Sequence, residues 1–501
     1  MTVPFINIPS QLRVPLFYAE MDNSQANGSA TGVRRALAIG QKLAAGTALP
    51  NVPYIVASVA QAVALFGRGS MLARMLQAYR DNDNYGEVWA IAVADAGAGV
   101  VSTGTFTVVG TATASGAINL YIAGQRIQVP VLLNDTPTII AASIVAAVTA
   151  NPDLPVSAAA AAGVVTLTSK WKGATANDIT LFDSFRGAAG GEALPAGVTL
   201  TYPATLSGGT TNPTLTPVIS AMGDDEYDFI VHPYTDSASL DAFQQELNDT
   251  TGRWSWSRQI YGHCYSALRG TLAALVTFGG LRNDQHHTVA GIDADCPLPS
   301  WEYAAQYAAR NAVFINADCA RPTQTGVLAT APVPRAGKKF LFTERASLLN
   351  YGVATSYVVA GALRIERAIT TYLKNTWGQP DVSYLDSETL HLSAYVLRRL
   401  KGVITSKYPR HKLANDGTRF AAGAAIVTPA VIRGELIAEY EAMEVEGFVE
   451  NTELFAANLI VERNATDPNR LDVLFPPDYI NQLRVFALLN QFRQQYPAQL
   501  A

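Results

Sequence analysis

The sequence predicts a multi-domain α/β fold, and three observations carry that reading. Short β-branched strands alternate with capped helices on both sides of residues 97–212, the composition changes abruptly within that stretch, and strand-forming segments lie at both ends of the chain. With 501 residues, 49% of them hydrophobic, the chain can build more than one core. A net charge of −5 without a basic stripe argues against a nucleic-acid partner held through its phosphates. The three cysteines, Cys264, Cys296 and Cys319, are too few for a disulfide framework and suit a reducing origin. The longest apolar run, 138–150, is shorter than the roughly 20 residues that span a bilayer, and no signal-peptide pattern opens the chain. A soluble protein without membrane insertion is expected.

Residues 1–31 form an N-terminal arm. Leu12, Val14, Leu16 and Tyr18 alternate with polar or proline positions at a period of two, and Pro9 and Pro15 exclude a helix, so the arm reads as an edge strand followed by the polar linker 22–28. An α/β pattern then begins. Strands are expected at 36–39, 54–56 and 88–93, with helices at 59–66 and 71–80 capped by Ser58 and Ser70. From 97 to 212 the chain is rich in Thr, Ala, Gly and Val and carries only four basic and five acidic residues. Strand-like runs at 105–109, 118–122, 126–129, 164–168 and 198–202, with one helix at 138–150, predict an inserted β-rich domain. The alternation resumes with strands at 227–231, 259–265 and 288–292 and helices at 237–247, 268–278 and 300–316. Further helices are expected at 351–377, 387–404 and 434–446. The resulting division is an arm at 1–31, an interrupted α/β domain at 32–96 and 213–457, the insert at 97–212, and a C-terminal strand-forming arm at 458–501.

That last arm organises the reading. The apolar runs 459–461 and 471–475 are joined by the polar segment 464–470 and predict a hairpin, which Pro476-Pro477 closes because neither proline can donate to a ladder. A third segment, 479–487, is read as a strand with Leu483 and Val485 on one face, although Ile480, Leu483 and Ala487 also suit a helix. The candidate inter-subunit residues are therefore Leu12, Val14, Leu16, Tyr18, Leu471, Val473, Phe475, Leu483 and Val485, because unpaired strand edges recruit other strands.

Residues for catalysis or phosphate binding are largely missing. No phosphate-binding glycine loop, nucleophile elbow or zinc-protease pair of histidines is present. His286-His287 and His263-Cys264 are adjacent pairs, and neighbours on a strand point to opposite faces, which works against joint ligation or a thiol and base pair. Asp224-Asp225-Glu226 reads as a solvated turn, and Asp293 and Asp295 follow a sheet strand without other catalytic companions. No cofactor or metal is expected, and no enzymatic activity.

The sequence resembles the contractile tail sheath proteins of Mu-like phages along most of its length. The most specific parts are Ile8-Pro9-Ser10 with Arg13, Pro15, Tyr18, Glu20, Asp22, Ser24 and Ala26 in the first arm; Leu65-Phe66-Gly67-Arg68-Gly69-Ser70-Met71-Leu72, continued by Ala78-Tyr79-Arg80 and Glu87-Val88-Trp89-Ala90; and Pro468-Asn469-Arg470-Leu471-Asp472-Val473 in the tail. The arm departs at Leu16, where many relatives have glycine. The resemblance implies a mainly α/β sheath domain and a homo-oligomer, a helical stack of hexameric rings around a tail tube protein, with baseplate and tail terminator proteins as further partners. It also implies a place in the virion tail after assembly in the host cytoplasm, and contraction that drives the tube through the host envelope, with the arms paired to neighbouring subunits. A sheath of a related injection device or bacteriocin-like particle shares the mechanism. The alternative from another class is an α/β enzyme binding a nucleotide or metal.

Overall fold

A computed structural model describes residues 34–421 and 423–494. The first α/β segment comprises β1 (Ala36–Gln41), β2 (Pro53–Ile55), α1 (Val59–Phe66), α2 (Met71–Arg80) and β3 (Val88–Val93). Ser58 and Ser70 accept the backbone N–H groups of Gln61 and Ala73, so both expected caps form. Gly67 (φ +91°) ends α1, and Gly69 (φ +76°) turns the chain where a Cβ would lie 2.6 Å from the Pro152 carbonyl oxygen. These two contacts account for glycines in the run that carries the family likeness.

The stretch 97–212 contains β4 (Val101–Val109), β5 (Gly116–Ile122), β6 (Gln125–Val131), α3 (Pro137–Ala150), β7 (Val156–Ala161), β8 (Val164–Lys172), β9 (Leu181–Asp183) and β10 (Thr199–Thr201). Among the described residues its strands pair only with one another, in the orders β10-β4-β8-β7 and β6-β5-β9. Strand β7 escapes the sequence reading because its alanines have little strand propensity; its antiparallel pairing with β8 across Ala162 (φ +52°) holds it. Three contacts seat these sheets on the α/β layer. Gln41 donates through Nε2 to the Asp95 carboxylate and the Lys172 carbonyl, each at 2.7 Å. Trp171 meets Trp301 edge to face at 5.3 Å. Arg269 donates to Asp178 at 2.5 Å.

After the insert come α4 (Thr216–Met222), β11 (Phe229–Val231), α5 (Ser237–Leu247), β12 (His263–Gly270), α6 (Leu272–Gly280), β13 (His287–Asp293), α7 (Ser300–Ala317) and α8 (Phe342–Asn350). Strands from before and after 97–212 share one sheet, in the order β13-β12-β11-β1-β3-β2, parallel except for β2. Every residue of β1 is buried, as a central parallel strand covered on both faces requires. Leu37, Ile39, Ile91, Ile230, Phe243, Leu247 and Cys264 form the core on one face. The strand expected at 259–265 begins later, at His263, because Gln259, Tyr261 and Gly262 all have positive φ; α6 shifts with it and takes Thr271 as its cap.

The helix expected at 351–377 is not formed. In its place lie β14 (Thr355–Val359) and β15 (Ala362–Arg367), an antiparallel hairpin whose two turn residues, Ala360 (φ +51°) and Gly361 (φ +74°), adopt the paired positive φ of a tight hairpin turn. β-branched residues at 355, 358, 359 and 365 prefer that pleated environment to a helix. Helix α9 (Ser387–Lys407) follows, then β16 (Lys412–Leu413), β17 (Ile426–Val427), α10 (Pro429–Glu446), α11 (Thr452–Asn458), β18 (Ile460–Arg463) and β19 (Leu471–Leu474). Helix α10 has Thr428 as its cap, proline in its first turn and Gly447 (φ +82°) at its end. By contacts the described chain divides into 34–394 with 479–494, and 395–478, so the division falls inside α9.

Candidate functional site: hairpin, tail and histidine cluster

In the smaller unit, β18 and β19 form the expected hairpin, with Val461 opposite Val473 and Arg463 opposite Leu471. The connecting turn is pinned by Asn464, whose side-chain oxygen accepts the N–H groups of Thr466 and Asp467, both at 2.9 Å. Beneath the hairpin, Tyr440 of α10 stacks on Phe455 at 3.7 Å, and Phe475 closes on Phe455 edge-on at 5.0 Å. Phe475 thus anchors the hairpin to its own unit. Ile460, Val473 and Leu474 are exposed, and among the described residues neither outer edge of this two-stranded sheet has a partner. A two-stranded ribbon is marginal by itself and its free edges offer backbone donors and acceptors to further strands.

The segment read as a strand at 479–487 joins no sheet among the described strands; from 480 to 493 it runs as irregular chain. Polar anchors hold it instead. Gln482 donates to the Ala320 carbonyl at 2.9 Å, and Arg484 reaches the carboxylates of Asp386 and Glu388, each at 3.1 Å. Glu388 is 0% exposed and also accepts from the Thr323 N–H and hydroxyl, both at 2.8 Å. With 482 and 484 turned inward, the alternate side chains turn out: Leu483 is 72% and Val485 79% exposed, and Phe486, Leu488, Leu489 and Phe492 are exposed beside them in sequence. An apolar run this long on display is characteristic of an interaction surface. The other four candidate residues, Leu12, Val14, Leu16 and Tyr18, lie outside the described residues.

The chemistry-bearing residues are engaged structurally. Asp293 accepts the Phe340 N–H at 2.5 Å, Asp295 pairs with Arg335, and Asp224 with Arg258 at 3.1 Å. The adjacent pairs diverge as expected: His286 bonds Asp249 at 2.8 Å, whereas His287 bonds the Ser266 hydroxyl at 2.9 Å. His263 turns to Thr288 at 2.8 Å, and burial raises the Cys264 thiol well above its usual range, so the two form no thiolate and base. Sequence reasoning misses His232 and His391, which fold in from beyond β11 and from α9. His391 contacts Tyr265 at 3.0 Å. His232 stacks on Phe243 at 4.6 Å and lies 5.0 Å from the His287 ring. Burial lowers His232 to about 3 and holds His263 and His287 well below the ordinary histidine range.

Among the described residues no helix is long and apolar enough to cross a membrane. Residues 208–371 match the phage tail sheath protein central domain, and residues 379–493 match the phage tail sheath C-terminal domain. The chain is 39% identical over 494 residues to the Mu-like prophage FluMu tail sheath protein of Haemophilus influenzae, an alignment covering 98% of this chain and 100% of that protein. Solved structures of sheath tail proteins are also similar. That from Desulfitobacterium hafniense has a TM-score of 0.48 at 11% identity, covering 93% of this chain and 100% of its own. That from Listeria innocua has 0.48 at 14%, covering 91% and 94%. With both domain matches and a near full-length relative in hand, the chain belongs to the phage tail sheath proteins, structural components of the virion tail and not enzymes.

Proposed function

We propose that this chain polymerises as stacked hexameric rings around a tail tube, meets baseplate and terminator proteins at the ends of the stack, and contracts to drive the tube through the host envelope. Assembly takes place in the host cytoplasm. The observation that carries the reading is a pairing of opposites in one chain: a hairpin whose two edges have no strand partner among the described residues, and an extended tail showing Leu483 and Val485 to solvent. Strands from neighbouring subunits complete the hairpin at Leu471 and Val473, and Leu12, Val14, Leu16 and Tyr18 of the N-terminal arm supply one such strand. Main-chain hydrogen bonds then hold each connection while linkers absorb the sliding of the α/β bodies, so subunits rearrange without separating. Residues 1–31 and 458–501 act as arms, and 97–212 as a separate domain on the outer surface.

The test uses Leu483→Glu with Val485→Glu. Both side chains are exposed, so the unassembled chain keeps its circular dichroism and urea midpoint, while electron microscopy shows tubes lost or shortened. Tubes of normal length and diameter from this double variant, and from a chain lacking 1–27, overturn the mechanism.

A further inference from the structure

His232, Cys264 and His287 converge in the core from three adjacent parallel strands: β12 and β13 carry Cys264 and His287 in register, and His232 follows the last residue of β11. Each offers one donor atom, and these atoms all lie within 4.8 Å of one another, with all three residues buried. Two further observations point to a ligand. The Nε2 of His232 is buried without a hydrogen-bond partner, in a ring that is 0% exposed, which is costly for a polar atom. The Ser266 hydroxyl also lies 3.3 Å from His232 Nδ1 and 2.9 Å from His287 Nε2, so one group orients both rings, in the way outer-shell partners fix ligating imidazoles.

We propose that His232, Cys264 and His287 form a binding site for a single divalent transition ion, zinc by its donor set, that staples β11, β12 and β13 together. Two imidazoles and a thiolate suit zinc, whose bonds of about 2.0–2.3 Å place tetrahedral donors about 3.3–3.6 Å apart. Closing from the present separation needs side-chain rotations of the two imidazoles. The fourth position falls to a water, because the Ser266 hydroxyl is engaged with the two rings and with the His232 carbonyl. On binding, the Cys264 thiol gives its proton to solvent and the ion takes its place, with no change of oxidation state. Neither adjacent pair in the sequence, His263-Cys264 or His286-His287, could form this site alone; each contributes one member, and His232 completes it.

The full-length chain, prepared without a metal-chelating resin, is measured by elemental mass spectrometry, and about one zinc per chain is expected. Removing it with dipicolinate lowers Tm by at least about 3 °C, and added zinc restores it. Cobalt exchanged into the site gives a sulfur-to-cobalt charge-transfer band that persists in Cys296→Ser and Cys319→Ser and vanishes in Cys264→Ser. His411→Ala retains the metal and His232→Gln loses it. If those variants fail to fold, the wild-type chain still decides: cobalt that binds without a sulfur band, or a chain that takes up less than about 0.1 equivalent of zinc or cobalt, overturns the site.

Discussion

Replacing Asp178 by alanine removes one carboxylate that serves two segments distant from it in sequence. Its Oδ1 accepts from Arg269 Nε at 2.5 Å, and its Oδ2 accepts the Ser300 N–H at 2.5 Å in the first turn of α7, where Pro299 has no side chain able to cap. Arg269 and Asp178 side chains are only 10% and 17% exposed. Breaking a buried pair from one side costs about 3–5 kcal/mol, and losing a cap about 1 kcal/mol. Arg269 keeps the carbonyls of Asp293, Cys296 and Leu298, so the expected loss is about 3–4 kcal/mol. Asp178→Asn preserves an acceptor for Ser300 and should lose about 1–2 kcal/mol less. Urea unfolding followed by tryptophan fluorescence is the assay, because Trp171 and Trp301 report on the same seam. A double change, Asp178→Leu with Arg269→Met, should cost about 1–3 kcal/mol less than the sum of the singles, because neither ion is left buried alone, but it does not regain wild-type stability, since the carbonyls of Asp293, Cys296 and Leu298 and the Ser300 N–H lose their partners. If Asp178→Ala lies within about 0.5 kcal/mol of wild type, or the double change is as damaging as the sum of the singles, the pair is not the seam's anchor.

Two further outcomes follow from the same structure. Folded His232, His263 and His287 have depressed pKa values, so the unfolded chain gains protons below about pH 6.5 that the folded chain refuses. Their stability is therefore full above that pH and falls by about 1.4 kcal/mol per unit per histidine on acidification. Buried Asp284 and Glu302 and half-buried Asp293, raised by desolvation, act with the opposite sign at lower pH, so the urea midpoint of chelator-treated chain should drop between pH 6.5 and 5; a flat profile contradicts the buried neutral imidazoles. Arg484→Ala leaves Glu388 buried with its Thr323 and Ser387 bonds but without a cation at its carboxylate, costing about 1–3 kcal/mol and exposing 479–494 to carboxypeptidase; unchanged digestion removes Arg484 as the tail's anchor.

Local signals were legible in the sequence wherever the structure is decided locally. Ser58, Ser70 and the buried run Val88–Val93 announce their elements because a cap needs one side chain and a strand one pattern. The α/β character on both sides of the insert was legible for the same reason. What the sequence hid depends on backbone sign or on distance. Ala360-Gly361 turns a run that reads as helix into a hairpin through two positive φ angles, and Gln259 and Tyr261 delay β12 in the same way. Asp178 capping α7, and His232 meeting Cys264 and His287, are contacts between remote segments that no spacing rule encodes. The tail at 479–487 reads as a strand but runs as irregular chain, because its inward face is set by Arg484 and the buried Glu388, which only the folded chain brings together.

These contacts also bear on where the chain could bend in the proposed contraction. The stretch 97–212 looks self-contained in composition and strand pairing, yet its seam combines an amide bridge at Gln41, an aromatic pair at Trp301 and an ion pair at Arg269. Simple removal of the stretch uncovers a fully buried Trp301 and strips Arg269 of its carboxylate. Such a seam moves as one body with the parallel sheet, because sliding it by even a few ångströms breaks all three contacts together. The hairpin and tail are built differently. Among the described residues neither edge of the hairpin has a strand partner, and the tail is held by a few polar side chains while Leu483 and Val485 stay exposed. Rearrangement in the proposed contraction therefore belongs to the arms and their linkers, where a strand can change its tilt without losing its neighbour, and not to the joint between insert and body.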